Sequence, residues 1–416
     1  MSDAHTENTT DTANSPGPAA QDEMIERVLA EIDQNELVAF HQALVRLPTV
    51  NPPGDVREAV GLCDRTLAAA GFKTRQVGDD ERKPNLIAEW GTADGPVLCF
   101  NAHLDVVPIG ERSAWKHDPF GGEIDGGRIY GRGAGDDKGS VAAQVMAGLA
   151  LARSGIPLRG RLIVNEVADE ETNGVHGTAW VVAEGHLKPD FVIVGEQTQN
   201  RVCVGEKGSG ATAVTVHGRT AHGALPWEGA NAIEAMAEIV VALRRELWPQ
   251  LDARTHEYFH PSSGSVNMIS GGVKANVVPD LCSVFIDRRL VPGEDPSDAS
   301  AEIRAIAERA VAGMAGITVE VTASEAARPA TVSLPEAPLV RAMLQANEWL
   351  GLDKEPTGFS MATDGRFFVE AGFPTIIYGP GDPKLAHVPD EWIGVEEFVQ
   401  AARAYAVAAV LLLGDA

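Results

Sequence analysis

Cysteine is scarce in this chain. Its four cysteines, Cys63, Cys99, Cys203 and Cys282, lie far apart with no CxxC pair among 416 residues, which argues against a disulfide framework. Three of them sit in apolar or alternating stretches, the usual setting of a small buried thiol. Basic residues are also few, 34 Lys and Arg against 59 Asp and Glu, for a formal charge of −25. That charge repels phosphate backbones and anionic lipid surfaces, so neither nucleic acid nor membrane is an expected partner. Long hydrophobic runs are missing as well. The polar start from Met1 to Ala20 holds no apolar signal core, and no later run approaches the roughly 20 apolar residues of a membrane span. Cytoplasm is the expected compartment. No repeat of solenoid length is present.

What remains is an ordinary globular composition, 44% hydrophobic and 22% charged, long enough for two or three domains. Residues 1 to about 20, rich in Ser, Thr, Asn, Asp and Pro, are expected to be disordered. Helical spacing then begins at Asp22, with Met24, Val28, Leu29 and Ile32 on one face, and a second amphipathic stretch runs from Glu36 to about Leu47. The breaker Asn51-Pro52-Pro53-Gly54 stops it.

Apolar strands separated by helices follow. Asn85 to Trp90, Val97 to Ala102, Arg161 to Val167 and Phe191 to Val194 read as strands, and Gly139 to about Arg153 as a helix. This alternation predicts an α/β domain on a mostly parallel sheet. Past about Gly205 the character changes to α+β. Strands are expected at Ala211 to Val216, Ser263 to Ile269, Leu281 to Ile286 and Ile317 to Thr322, and helices at Asn231 to about Leu247 and Asp298 to Ala312. The last part returns to helix (Pro338 to Leu350), strand (Thr375 to Tyr378) and helix (Val395 to Leu413). A smaller domain at 206–325 therefore interrupts a larger one made of 21–205 and 326–416.

Five polar clusters fall where strands or loops end, the edge at which open α/β sheets collect ligands. His103-Leu104-Asp105 follows the second strand; a metal-binding imidazole needs its other nitrogen held, though the triplet alone fits a structural histidine equally. Gly131-Arg132-Gly133-Ala134-Gly135-Asp136-Asp137-Lys138-Gly139 opens a helix without Walker or dinucleotide spacing. Its paired aspartates suit a cation, while a plain capped helix start remains open. Ala168-Asp169-Glu170-Glu171 follows an apolar strand, where a solvated acidic run is less expected; one glutamate could ligate while the other handles a proton. Gly195-Glu196 and Ala386-His387 complete the set. Two imidazoles and at least three carboxylates suit zinc, and a shared carboxylate suits a pair of ions.

These strings, in this order, resemble the superfamily of acetylornithine deacetylase, succinyl-diaminopimelate desuccinylase, aminoacylase and glutamate carboxypeptidase. Trp115 with Asp118-Pro119-Phe120, and His387 with Asp390-Glu391, belong to the same pattern, which spans about residues 35 to 415. The resemblance implies a zinc-peptidase-like catalytic domain with two Zn2+ per subunit, Co2+ or Mn2+ being substitutes. It assigns His103 and Glu196 to one ion, Glu171 and His387 to the other, and Asp136 to both. Asp105 would orient His103, Glu170 would be the general base, and the Asp136–Asp137 peptide would be cis.

The inserted domain resembles that family's ferredoxin-like lid and dimerisation domain through Gly218-Arg219-Thr220-Ala221-His222-Gly223, Pro226, Gly229 and Asn231-Ala232-Ile233. By this resemblance His222 would reach the partner subunit's site and stabilise the oxyanion. Asn276 and Arg289 would grip a substrate carboxylate, with Arg288 a competing neighbour. Gly379, in Gly379-Pro380-Gly381, would line the pocket or form a turn. The role of Thr363-Asp364 stays open, and the histidines outside these clusters read as surface or structural. The expected activity is hydrolysis of a small N-acyl amino acid or related amide bearing a carboxylate, by a homodimer paired through its lids. Carboxypeptidase, dipeptidase and N-carbamoyl hydrolase chemistry are rivals from the same superfamily, and a non-catalytic metal-binding protein of the same fold is another.

Overall fold

The computed structural model describes residues 18–325 and 327–414. Residues 1–17 of the stretch expected to be disordered lie outside the described residues. Pro18 opens a helix that takes in the last three residues of that stretch. The main elements are α1 (Pro18–Ala30), α2 (Gln34–Val45), α3 (Arg57–Ala69), β1 (Lys73–Val77), β2 (Asn85–Gly91), β3 (Val97–His103) and α4 (Lys138–Ser154). There follow β4 (Arg161–Val167), α5 (Thr178–Ala183), β5 (Phe191–Val194), β6 (Cys203–Glu206), β7 (Thr212–His217), α6 (Ala232–Ala242), β8 (Ser263–Gly271) and β9 (Leu281–Leu290). The last are α7 (Pro296–Ala310), β10 (Thr318–Ala323), α8 (Pro338–Leu350), β11 (Thr357–Phe359), α9 (Gly365–Glu370), β12 (Thr375–Ile377) and α10 (Val395–Leu413).

An eight-stranded sheet runs in the order β1-β2-β4-β3-β5-β12-β6-β11. Its centre, β4-β3-β5-β12, is parallel. The flanks are less regular than expected, because β2 pairs antiparallel with both β1 and β4, and β6 pairs antiparallel with β12. Residues 78–84 join β1 to β2, too short a link for the crossover that a parallel pair requires. All seven residues of β3 are buried, as a central parallel strand covered on both faces demands.

Helices cover both faces. On one, α4 packs with α1, α2, α3, α8 and α10 in a single apolar cluster. Every α4 residue but Ala152 and Arg153 is buried, and its Ala and Gly positions let α10, itself alanine-rich, come close. On the other face Val181 of α5 and Phe368 of α9 meet Cys99, Ile163 and Val192 from the strands. Because β3, β4 and β5 run parallel, their carboxyl ends share one edge.

The second sheet, β8-β9-β7-β10, is antiparallel throughout. With α6 between β7 and β8 and α7 between β9 and β10, this is the ferredoxin-like βαββαβ arrangement. Its own core joins Val214, Met236, Ile239, Ile286 and Ile303, each fully buried aliphatic contributing about 1.5–3 kcal/mol relative to exposure. The chain leaves the first sheet at Glu206 and joins the second at Gly208. A bridge between Ser209 and Arg328 ties the outgoing strand to the returning one. Among the described residues no helix is long and apolar enough to cross a membrane.

Candidate metal centre

Three of the five polar clusters sit at the shared strand edge because their strands are parallel neighbours. His103 ends β3, Glu170 and Glu171 lie on the turn after β4, and Glu196 lies two residues beyond the end of β5. The remaining two come from loops. Asp136 precedes α4, joined to Asp137 by a cis peptide bond, and His387 adopts a left-handed backbone (φ 64°).

Asp136 is the meeting point. Its Oδ1 lies 3.2 Å from His103 Nε2 and its Oδ2 lies 3.3 Å from His387 Nε2. The Nε2 of His387 is also 3.2 Å from Glu171 Oε2. Ligand atoms of His103, Asp136 and Glu196 fall within 4.8 Å of one another, as do those of Asp136, Glu171 and His387. The two groups share Asp136 and nothing else.

The surrounding bonds fix these side chains. His103 Nδ1 donates to the carbonyl of Asp105 at 2.9 Å, which fixes the ring so that Nε2 faces the cluster. The Asp105 carboxylate stands farther off, 3.7 Å from Nδ1. It accepts instead from Glu170 N (3.2 Å), Glu171 N (3.3 Å) and Asn51 Nδ2 (2.8 Å). Asp105 therefore holds the glutamate turn as well as the imidazole. Asp136 is held from behind. Buried Glu391 accepts from Gly135 N (3.0 Å) and Asp136 N (3.1 Å) and pairs with buried Arg132 at 2.5 Å.

Electrostatics set the problem that a cation would solve. Burial, then the like charges of Asp136 and Asp137, push the Glu196 carboxyl well above the usual range. Burial, with Asp364 and Glu171 adding to it, does the same to Glu170, against the pull of His103. Glu171 is raised by burial too, and burial pushes Asp137 up to about 8. In the other direction, hydrogen bonds to Asp136 and then Glu171 lift His387 to about 10. Glu171 Oε1 is buried with no hydrogen-bond partner among the described residues. Crowded carboxylates, imidazole nitrogens turned inward and an orphaned oxygen together fit divalent cations with N/O ligands, zinc among them.

The cluster opens into a cavity of about 400 Å3 lined by Asp136, Glu170, Glu171, Glu196, His387 and Arg366, among others. That volume suits a small molecule. Residues 99–410 match the family model for "Peptidase family M20/M25/M40". The chain belongs to the M20 peptidase family. Like other members it is a metal-dependent hydrolase of amide bonds. It is similar to a succinyl-diaminopimelate desuccinylase of Cereibacter sphaeroides, 34% identical over 86% of this chain and 94% of the relative. A protein of the same name from a Caulobacter species is 37% identical over 67% of this chain and 72% of its own length. In fold it resembles a tripeptidase from Staphylococcus aureus, with a TM-score of 0.76 at 20% identity over 92% of this chain and 99% of the other. A Bacillus subtilis M20 protein described as a dinuclear metal binding peptidase gives 0.67 at 19% identity, over 91% and 98%.

The remaining candidate residues lie apart from this M20 cavity. His222 is exposed on a two-residue strand paired with Val277–Val278, its Nδ1 accepting from Ala224 N. Asn276 is an exposed neighbour whose carbonyl accepts from Gly223 N at 2.8 Å. Neither is among the residues lining the cavity. Arg288 and Arg289 are separated by strand alternation. Arg288 points into the lid and is fully buried against Glu294 and Glu302, while Arg289 faces a second cavity, paired with Asp287.

Gly379 does not line the metal cavity, contrary to one of the two readings of its sequence. Its N–H and carbonyl are both engaged with Thr198, and the carbonyl also accepts from Asn200 N. A Cβ there would stand 2.4 Å from the Glu196 carbonyl and 2.6 Å from Ser140 Oγ. Close backbone packing beneath Glu196 thus requires glycine. Arg132, Glu391 and Asn51 carry the support of the site without having been singled out. Arg132 stood in the glycine-rich string, Glu391 in the string that follows His387 and Asn51 in the breaker before Pro52, but none of the three strings showed that its residue would brace the site.

Proposed function

We propose that this chain removes the acyl group from a small N-acyl amino acid, using two zinc ions that share Asp136. His103 and Glu196 would complete one coordination sphere, Glu171 and His387 the other. The observation that carries the reading is the convergence of two imidazole nitrogens on opposite oxygens of one buried carboxylate. Bound there, the ions supply Lewis acidity, making water acidic near neutral pH and drawing electron density from an amide carbonyl.

Glu170 is the proton carrier in this account. Burial raises its affinity for a proton, so it can accept one from attacking water at a carboxylate oxygen and return it to the leaving nitrogen. Asp105 keeps that glutamate in place through its backbone N–H. Arg289, with Asn276, would hold the substrate carboxylate and His222 would serve the cavity of the partner subunit across a lid-to-lid homodimer. An exposed apolar strip on the lid, with Met268 69%, Ile269 64% and Val273 85% accessible, supports such pairing. Four buried and unpaired thiols fit the cytoplasm. Deacylation is favoured over peptide cleavage by the desuccinylase relatives.

The test is amide hydrolysis across N-acetyl and N-succinyl amino acids and dipeptides, before and after chelation, with Glu170→Gln as the control. Turnover should vanish with the metal. It should fall by about 10²–10⁴-fold in Glu170→Gln while the metal content stays. Activity that survives chelation would overturn the proposal.

A further inference from the structure

Carboxylates and amide oxygens crowd the wall of a third cavity, about 540 Å3 in volume, which shares no lining residue with the metal-type cavity. Asp353, Glu396 and Glu397 bring three carboxylates to it, against Arg128. The Arg128 guanidinium is already stacked on the Trp392 ring, 3.9 Å from its centroid. Hydrogen bonds tie the wall together. Asn200 Nδ2 donates to the Glu397 carbonyl at 2.8 Å, and Asn347 Nδ2 bridges the carbonyls of Asn200 (2.9 Å) and Asp353 (2.6 Å). Glu396, Glu397 and Gln400 stand on the opening turns of α10, where residues three and four apart are neighbours.

Two oxygens of this wall lack donors. Asn200 is 5% exposed, and with its Nδ2 committed to Glu397 its Oδ1 has no hydrogen-bond partner among the described residues. Gln400 Oε1 is buried and equally unpartnered. Native structures rarely leave buried oxygens unpaired, so both call for a donor from outside the chain. The carboxylates also have capacity to spare. Glu397 Oε1 accepts from Gly381 N at 2.9 Å, yet burial raises the Glu397 carboxyl against the pull of that N–H, a strain that a nearby positive charge relieves. Asp353 accepts from Glu355 N and lies 3.2 Å from Arg201 Nε. Glu396 has no ion-pair partner among the described residues.

A metal ion is a poor match for this wall. Divalent cations need several oxygens converging on one point, and the groups that converge in that way among the described residues are the two that share Asp136. Acceptors spread along a cavity suit a cation whose donors are spread as well. We infer that this cavity binds a linear aliphatic diamine or polyamine, its ammonium groups held by the carboxylates of Glu396 and Glu397 and by the amide oxygens of Asn200 and Gln400. Each ammonium carries several N–H donors and no acceptor, the complement of what the wall presents. The formal charge of −25 draws such cations to the chain, and the unpaired oxygens give them one place to dock.

Titration calorimetry of the full, metal-loaded chain with spermidine should show one site per chain, and butylamine, with a single ammonium, should bind about tenfold more weakly or worse. Glu396→Gln and Gln400→Leu should each weaken spermidine about tenfold, the loss of one hydrogen bond to a charged donor. Glu308→Gln removes the same charge from an exposed position on the lid helix α7 and should leave binding unchanged. No binding of spermidine, or binding that both cavity variants leave intact, would overturn the inference. So would an equal loss in Glu308→Gln, which would mark diffuse attraction to an acidic protein. Displacement of spermidine by magnesium chloride at matched ionic strength would make the cavity a metal site and overturn it too. None of these titrations involves turnover, so their failure leaves the hydrolytic reading standing.

Discussion

Arg132→Met removes one half of a buried ion pair and so tests how the Asp136 loop is held. The side chains of Arg132 and Glu391 are 2% and 0% exposed and meet at 2.5 Å. Glu391 also carries the N–H groups of Gly135 and Asp136. Burial already lifts its carboxyl to about 7 against the pull of Arg132. Without the guanidinium it must stay charged with no partner or take up a proton. Breaking such a pair costs about 3–5 kcal/mol, because one charge is left buried alone. The loss should appear as a lower urea midpoint, together with a ~10–100-fold drop in metal affinity as Asp136 shifts. Adding Glu391→Gln should restore most of the stability, since the amide oxygen still accepts from both N–H groups and no orphan charge remains. A single variant that loses less than ~1 kcal/mol, or a double variant as unstable as the single, would refute the reasoning.

Two further perturbations probe other parts of the molecule. His41 is fully buried, bonded through Nε2 to the Ala134 carbonyl at 2.8 Å and packed on Phe398, and burial holds its pKa down to about 4. The unfolded chain binds this proton below about 6.5, the folded chain only near 4. The stability that neutral His41 contributes is therefore complete above pH 6.5 and is lost as the pH falls towards 4. Relative to His41→Leu, the wild type should lose about 3 kcal/mol of unfolding free energy between pH 7 and 4, and parallel pH profiles would contradict this. For the lid, inactive His222→Ala and inactive Glu170→Gln chains, refolded together in equal amounts, should recover about a quarter of wild-type activity through mixed dimers. No recovery would argue that His222 serves its own chain or none.

Much of the candidate metal cluster was legible because its residues fall at strand ends. An apolar run ending in His103, another ending before Asp169-Glu170-Glu171 and a third ending before Glu196 can be read from the sequence, since a buried parallel strand leaves a continuous apolar signature. Strands β1, β6 and β11 were missed for the opposite reason. Lys73–Val77 is a polar edge strand with no buried residue, and β6 and β11 are four and three residues long, too short to show a period. The lid helix expected from Asn231 to about Leu247 runs as α6 to Ala242 and continues in wider π-type turns to Leu247, a local change that periodicity does not register. Long-range partners were the least visible. Arg132 and Glu391 are 259 residues apart, and the pairing of Asn51 with Asp105 joins two loops. Asn200, Asp353 and Gln400 look like ordinary polar residues until the fold puts them on one cavity.

The account depends most on Asp136 serving two cations at once. The direct measurement is metal content by mass spectrometry after zinc loading and dialysis, on the wild type and on Asp136→Asn, Glu171→Gln and Glu196→Gln. The account predicts two ions per wild-type chain, about one in each glutamate variant, and neither held tightly in Asp136→Asn. Two ions retained in Asp136→Asn, or a single ion in the wild type, would contradict it.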